Sequence, residues 1–328
     1  MSYTPPFKIT SNILNLVSQI SELIGKLEVL SPSAMTPKLR KENKIKTITG
    51  TLAIEGNTLG IEKVTAILDG KRVMGSMREI AEVNGAIKVY DALDSFDYKN
   101  LDDLLLAHKM LMEEILTNAG SFRSSNVGVG GTDGVVHIAP PHSHVAQLMQ
   151  DLFSWLSSSD THPLIKSSVF HYEFEFIHPF IDGNGRIGRL WQSLILYNYK
   201  SIFSAIPIES VVKESQQAYY NALEKSGDMG ESTPFIEFML EAILEACKTE
   251  LINSTNVPNN DPKNDPIKRL DTILSLIKKD STLTIQKLAK LCRLSDKTIK
   301  RDISKLKEKG LLIREGSLKA GKWVIVSK

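Results

Sequence analysis

The run His178-Pro179-Phe180-Ile181-Asp182-Gly183-Asn184-Gly185-Arg186-Ile187-Gly188-Arg189 places a histidine, an acid, a glycine-rich turn and two arginines within twelve residues. The apolar stretch Leu164–Ile177 before it reads as a helix, and Leu190–Tyr199 after it as another. The Gly183-Asn184-Gly185 turn then falls at the start of the second helix, where unpaired backbone N–H groups and the helix dipole favour an anion. Arg186 and Arg189, three apart, project from neighbouring points of the first turn. Such a site suits a polyanion with several phosphates. His178 stands just upstream, placed to take a proton from a nucleophile attacking one of them.

The rest of the chain bounds what surrounds this run. It has 328 residues, 42% apolar and 24% charged, enough for one large domain or two to three smaller ones. No stretch approaches about 18 uninterrupted apolar residues, so no membrane span is expected. Met1 to Ile9 lacks the pattern of a secretory signal, and the two cysteines, Cys247 and Cys292, lie far apart. Both point to a reducing, cytoplasmic setting. The net charge of +2 hides an asymmetry: residues 263–328 hold 18 Lys and Arg against 7 Asp and Glu, net +11, which leaves residues 1–262 at −9. Opposite charge implies two modules with different partners.

The stretch Asn253 to Pro266 is polar, proline-punctuated and almost free of apolar residues, as a linker is. Before it, helical periodicity dominates: Ile13, Leu16, Ile20, Leu23 and Leu27 recur at three- and four-residue spacing, as do Leu101, Leu104, Leu105, His108 and Leu111. Val145–Leu156, Glu214–Ser226 and Thr233–Thr249 also read as helices. Val127 to Ile138 interrupts them, with β-branched residues on both sides of a Gly- and Asp-Gly-rich centre, a hairpin signal stopped by Pro140-Pro141. The hairpin is either a covering loop or a flap whose free edge holds an extended segment of a target protein, with Val135, Val136, His137 and Ile138 as the docking strand.

The central run matches the Fic signature, His-Pro-Phe-x-acid-Gly-Asn-Gly-Arg-x-x-Arg, at every defining position, and the chain resembles a Fic-type AMP transferase. Gly120-Ser-Phe-Arg123, the hairpin and the lead-in His171-Tyr-Glu-Phe-Glu-Phe-Ile177 look like family features too, so the likeness covers roughly residues 45–250. It implies a mainly α fold: an N-terminal helical region with an inhibitory helix (1–95), an all-helical Fic core with a small β-hairpin flap (96–252), the linker (253–266) and a second module (267–328). It also implies a reaction. His178 would be the general base that deprotonates a Ser, Thr or Tyr hydroxyl of a target protein, which attacks the α-phosphorus of ATP so that pyrophosphate leaves. Asp182 would hold Mg²⁺, a hard cation that takes carboxylate and phosphate oxygens. Asn184 and the N–H groups of Gly183 and Gly185 would cradle the α- and β-phosphates, with Arg186 on the β- and Arg189 on the γ-phosphate. Phe180 would turn inward as a core anchor.

A second pattern lies upstream. Thr51-Leu-Ala-Ile-Glu55-Gly56-Asn57 resembles the family's inhibitory helix, whose glutamate salt-bridges the second motif arginine, here Arg189, and blocks the productive γ-phosphate position. Gly56 is then a natural helix C-cap. The same glutamate could instead orient a water that removes AMP. Other readings also stay open: a Fic core that senses nucleotide for a DNA-binding regulator, a different phosphate donor, and a zinc site from His171, Glu175 and His178, which fall at i, i+4 and i+7 on one helix face. For His171 a packing role beneath the site is the stronger expectation. An exposed face of the N-terminal helices could mediate a homodimer.

Residues 267–328 follow a different plan. Ile267–Lys278, Ile285–Cys292 and Lys297–Lys309 read as helices, with Thr284 and Ser295 as N-caps, and Leu311–Arg314 and Trp323–Val326 as two strands. Three helices and a hairpin resemble a winged helix-turn-helix domain. Lys297, Thr298, Lys300 and Arg301 would then lie on the recognition helix, Arg301 for a base edge and Lys297 for phosphate, and the net +11 fits DNA. The alternative is a protein-interaction module with a solvated basic helix.

Overall fold

The computed structural model describes residues 3–30, 37–131, 134–256, 266–292, 294–315 and 322–326; the side chains of residues 30–39, 129–137, 255–268 and 271 lie outside that description. The architecture is mainly α, with fourteen α-helices and two antiparallel hairpins among the described residues. The chain forms two compact units, Met1–Ser254 and Thr255–Lys328. Among the described residues no helix is long and apolar enough to cross a membrane.

The first unit begins with α1 (Ser11–Leu30), α2 (Pro37–Ile54), α3 (Ile61–Leu68), α4 (Met77–Asp91) and α5 (Leu101–Met112). α1 buries Ile13, Leu16, Ile20, Ile24 and Leu27, and Leu23 only packs at the edge of the core. The buried stripe therefore passes through Ile24 where Leu23 was expected, both spacings keeping the helical period. A reciprocal Ser76–Glu79 capping box opens α4. Glu79 also accepts from the Thr58 amide (3.0 Å) and hydroxyl (2.6 Å), which ties the start of α4 to the turn after α2. These bonds hold the Glu79 pKa at about 2.

Strands β1 (Gly128–Gly131) and β2 (Gly134–Ile138) form the expected hairpin, with a register irregularity at Val129/Gly130. Then follow α6 (His142–Ser158), α7 (Pro163–Ile177) and α8 (Asn184–Tyr199). α8 starts six residues earlier than its apolar run, because the motif itself forms the first turns. α7 and α8 are buried over most of their length, α7 from Leu164 to Phe174 without interruption. They approach closely at Gly188, where a Cβ would stand 3.0 Å from Glu175 Oε1 and from the His171 ring.

The helix expected over Glu214–Ser226 is α10 (Gln216–Met229), and a short helix that the sequence did not mark, α9 (Ile208–Glu214), precedes it with a break at Ser215. The break lets Lys213 and Gln216 both turn onto the C-terminal carbonyls of α2, Nζ to Ala53 O at 2.9 Å and Nε2 to Ile54 O at 2.8 Å. α11 (Thr233–Asn256) continues into the polar stretch, whose remainder, residues 257–265, lies outside the described residues.

The second unit holds α12 (Pro266–Lys279), α13 (Ile285–Cys292), α14 (Asp296–Glu308), β3 (Leu312–Glu315) and β4 (Lys322–Ile325), the winged arrangement. Its own core joins Leu270, Ile273, Leu288, Ile299, Ile303, Leu306 and Trp323. Thr284 and Ser295 cap α13 and α14 as expected, accepting from Lys287 N (3.3 Å) and Thr298 N (3.2 Å). Trp323 ties the hairpin to the turn before α13, donating from its indole to Leu283 O at 2.9 Å. Arg269 and Asp302 form a buried pair inside the unit.

Candidate active site

α7 ends on an unusual backbone. His178 has φ 49° and ψ 60°, and among the described residues no other non-glycine has a positive φ. A left-handed L-residue costs roughly 1–2 kcal/mol, so neighbours must hold it. Arg123, 2% exposed, does so: Nε donates to His178 O (2.8 Å), Nη2 to Ile177 O (3.3 Å), Nη1 to Ser125 O (2.9 Å), and Nη2 also reaches Pro140 O. The Arg123 amide bonds Pro179 O at 2.9 Å. One buried guanidinium thus straps the loop after α7 to both ends of the hairpin.

The next residues are fixed from inside. Phe180 is fully buried and stacks on His108, centroids 3.6 Å apart and planes within 5°. Burying a phenyl ring stabilises by roughly 1.5–3 kcal/mol. His108 Nδ1 accepts from Gly120 N (2.8 Å), so its proton lies on Nε2, which donates to Asp182 O (3.0 Å). Burial lowers its pKa to about 4, which keeps that neutral form. Asn184, 2% exposed, closes the loop on itself: its Oδ1 accepts from Phe180 N (2.9 Å) and its Nδ2 donates to Phe180 O (2.8 Å). Its side chain is therefore tied to the loop through Oδ1 and one Nδ2 hydrogen.

Gly183, at φ 87°, caps α8. Its own N–H donates to Asp182 Oδ1 at 2.6 Å. Ile187 N is the first to reach a helical carbonyl, Gly183 O at 3.0 Å, so the amides of Asn184, Gly185 and Arg186 keep no acceptor among the described residues. An acid already sits at this helix end. Glu55 lies so close to Gly185 that a Cβ there would meet Oε1 at 2.3 Å, so only glycine admits it. The same Oε1 accepts from Arg189 Nη2 at 2.6 Å.

Glu55 is delivered by the end of α2. Gly56 N bonds Ala53 O (3.2 Å) and Asn57 N bonds Leu52 O (3.1 Å), the Schellman pattern. Thr51, one turn earlier on the same face, takes Arg189 Nε on its hydroxyl (2.9 Å) and Nη2 on its carbonyl (3.2 Å). Arg189 is 3% exposed. Burial alone would lower its pKa, but the Glu55 charge, with Tyr219 and Glu175, holds it above the ordinary value.

Arg186 is likewise enclosed by acids. Nη2 donates to Asp182 Oδ1 at 2.7 Å, and Nη1 lies 3.3 Å from Glu82 Oε1. Glu82 Oε2 accepts from Asn57 Nδ2 at 2.8 Å, so the turn carrying Glu55 and the first arginine share one carboxylate. The other oxygen of Asp182 accepts from Arg78 Nη2 at 2.7 Å. Arg78 is 62% exposed there, so this pair contributes only about 0–1 kcal/mol.

Beneath the loop, His171 is fully buried with both ring nitrogens engaged, Nδ1 by Gln192 Oε1 (2.6 Å) and Nε2 by the Tyr219 hydroxyl (3.1 Å). That is the packing role expected of it and leaves no lone pair for zinc. His178 points elsewhere, with its ring 19% exposed and Nδ1 4.0 Å from Glu175 Oε2. Burial lowers the His178 pKa, so the ring is neutral near pH 7.

The likeness to known proteins follows this geometry. The model of the Fic/DOC family matches residues 98–196, and that of the DeoR-like helix-turn-helix domain matches residues 269–316. A Fic family protein from Desulfovibrio desulfuricans G20, known from its crystal structure, is 39% identical, covers 99% of both chains and superposes with a TM-score of 0.77. The chain belongs to the Fic family. The protein adenylyltransferase Fic of Drosophila mojavensis is 28% identical over 270 residues, 77% of this chain and 51% of that one. Its counterpart in Aedes aegypti is 30% identical over 216 residues, 62% of this chain and 41% of that one. The chain thus spans about half the length of the curated relatives it matches.

Within the Fic core, the structure brings together His178, Asp182, Gly183, Gly185, Arg186, Arg189 and Glu55. The docking strand carries Val135, Val136 and His137, whose side chains lie outside the described residues, and Ile138, which is 79% exposed. β1 and β2 pair only with each other among the described residues. Sequence reasoning missed Arg78 and Glu82, and marked Asn57 only as the residue after the Gly56 cap. The Ser76-x-x-Glu79 pattern does mark the start of α4, but nothing in it points Arg78 toward an acid more than a hundred residues away. In the second unit Lys297, Lys300 and Arg301 are exposed on α14 opposite the buried Ile299, Ile303 and Leu306. Thr298 is half-buried, and its amide and hydroxyl are tied to the Ser295 cap.

Proposed function

We propose that this Fic protein transfers AMP from ATP to a Ser, Thr or Tyr hydroxyl of a target protein, and that Glu55 holds it inactive. The observation that carries this reading is the Glu55 carboxylate seated against Gly185 at the open N-terminus of α8 and paired with Arg189. A buried arginine, free helix amides and a neutral histidine form an anion site beside a base, and an acid occupies it.

With Glu55 withdrawn, the amides of Asn184, Gly185 and Arg186 face the α- and β-phosphates, Arg186 pairs with the β-phosphate and Arg189 takes the γ-phosphate. The hydroxyl proton passes to His178 as the oxygen attacks the α-phosphorus and pyrophosphate leaves. Asp182 fits Mg²⁺: one partly exposed carboxylate beside a phosphate site is the donor set such an ion takes, with phosphate and water oxygens completing it. When bound there, Mg²⁺ would neutralise phosphate charge. Asp182 Oδ2, the oxygen that would be offered to the ion, is now covered by exposed Arg78.

The α14 face with Lys297, Lys300 and Arg301 supports DNA binding by the second unit, Arg301 at a base edge and Lys297 on phosphate. The enzyme reading is tested by incubating the Glu55→Gly protein with α-labelled ATP. Label enters protein, and His178→Ala in the same background lowers the rate about 100- to 10,000-fold. Equal labelling with and without His178 rules the reading out.

A further inference from the structure

Glu175 lies one turn before His178 on α7, its side chain 12% exposed. Its Oε1 is buried with no hydrogen-bond donor among the described residues, and His178 Nδ1 is buried with no acceptor. Buried orphans of this kind are uncommon in native proteins. The orphaned nitrogen lies 4.0 Å from Oε2, the other oxygen of the same carboxylate, one helix turn away.

The other imidazole nearby cannot supply the missing proton. His171 Nε2 is 3.7 Å from Glu175 Oε1. Gln192 Oε1 must accept from His171 Nδ1 (2.6 Å), which leaves Nε2 as the acceptor for the Tyr219 hydroxyl (3.1 Å). His178 is therefore the imidazole able to donate to Glu175. Room for the carboxylate is made by Gly188, where a Cβ would lie 3.0 Å from Oε1.

We infer that Glu175 is the positioning residue of the base: it holds the proton of His178 on Nδ1, so that Nε2 is the nitrogen presented to the attacking hydroxyl. The inference rests on the AMP-transfer reading. In the step, the hydroxyl proton moves to Nε2, the oxygen–phosphorus bond forms and the α-phosphorus–pyrophosphate bond breaks. Glu175 stays ionised and faces the imidazolium, and Nε2 later releases its proton to solvent. Distances near 4 Å before substrate binds suit this role, since such contacts tighten in the reacting complex.

The charges around the two groups agree. Burial raises the Glu175 pKa, and the Arg189 charge is among the opposing influences that hold the group below its ordinary value. Burial lowers that of His178, with Arg123 acting the same way, while the Glu175 carboxylate, its main-chain carbonyl and Glu55 oppose.

The test uses the full chain in the Glu55→Gly background, with and without Glu175→Gln, and with ¹⁵N-labelled histidines. NMR of His178, assigned by His178→Gln, reads its tautomer and pKa with no dependence on activity. The expected result is an Nδ1–H tautomer with Glu175 and a His178 pKa lower by about one unit or more in Glu175→Gln. Unshifted His108 signals show that the variant is folded. AMP transfer from α-labelled ATP falls at least about tenfold in kcat with KM for ATP unchanged, its acid limb moves to lower pH, and Glu175→Asp restores part of the loss. An identical tautomer and pKa in both proteins overturns the inference, since the Glu175 carbonyl would then suffice. If the NMR change appears but the Glu175-containing protein transfers no AMP, the positioning role stands and the AMP-transfer reading fails.

Discussion

Replacing Glu55 with glycine removes the carboxylate 2.6 Å from Arg189 Nη2 while leaving Thr51 to hold the same guanidinium. Removing one partner of a fully buried pair costs roughly 3–5 kcal/mol, and an exposed pair contributes about 0–1 kcal/mol. Here Arg189 is 3% exposed and Glu55 30%, which puts the contact between these limits at about 2 kcal/mol. With Glu55 in place, Arg189 would be open to a γ-phosphate in only about 3% of molecules, since each 1.4 kcal/mol is tenfold. Apparent affinity scales with that open fraction, so Glu55→Gly is expected to tighten productive ATP binding about thirtyfold. Repulsion between carboxylate and phosphate would add to this. The assays are a nucleotide titration by calorimetry and auto-labelling from α-labelled ATP. Glu55→Gln separates charge from bulk and should give most of the gain. No rise in labelling over wild type, with His178 intact, would refute the reasoning.

Further outcomes are expected elsewhere. Glu173 is buried against the Tyr3 hydroxyl (2.6 Å), and burial raises its pKa to about 7 against the opposing pull of that bond. A carboxyl raised on folding binds more protons in the folded state, so its effect is to lower stability as pH rises from about 4.5 through about 7, by up to about 3 kcal/mol. Glu173→Gln should therefore stabilise the chain in urea at pH 8 and not near pH 4.5; equal gains at both would contradict this. Arg78→Ala uncovers Asp182 Oδ2 and should tighten Mn²⁺ binding in the presence of ATP a few-fold by EPR, and unchanged or weaker binding would rule out Arg78 as a competitor. In the full chain, Lys297→Ala should reduce the salt slope of DNA binding by about 1, and Arg301→Ala should cost about 1–3 kcal/mol at one base position. No salt-dependent mobility shift with the unmutated chain would remove the DNA reading.

Much of the site was legible along the chain because its parts are close in sequence. His178 to Arg189 span one loop and one helix start, and a glycine turn before a helix exposes amides whatever lies elsewhere. Glu55 was legible through its pattern, with Gly56 as the turn after it. The short helix α9 was not, because seven residues are too few for a periodic signal; beside it Lys213 and, across Ser215, Gln216 hold the last carbonyls of α2. The motif alone also assigned Asn184 to phosphate. Its side chain instead closes a loop that would otherwise leave the buried Phe180 amide and carbonyl unpaired.

What the sequence by itself determined is the local pattern: a histidine at a helix end, a glycine turn that opens a helix, two arginines on one face, and a basic winged module after a polar stretch. Each follows from backbone geometry and residue type over a few positions. Only the tertiary structure decided what those groups meet. It put Glu55 against Gly185 and Arg189, set Glu82 beside Arg186 and laid Arg78 on Asp182. These contacts join charges, most of them far apart in the chain, and a charge in a sequence carries no sign of which opposite charge will be buried beside it. That choice is made by helix packing, where burial makes an unpaired ion costly.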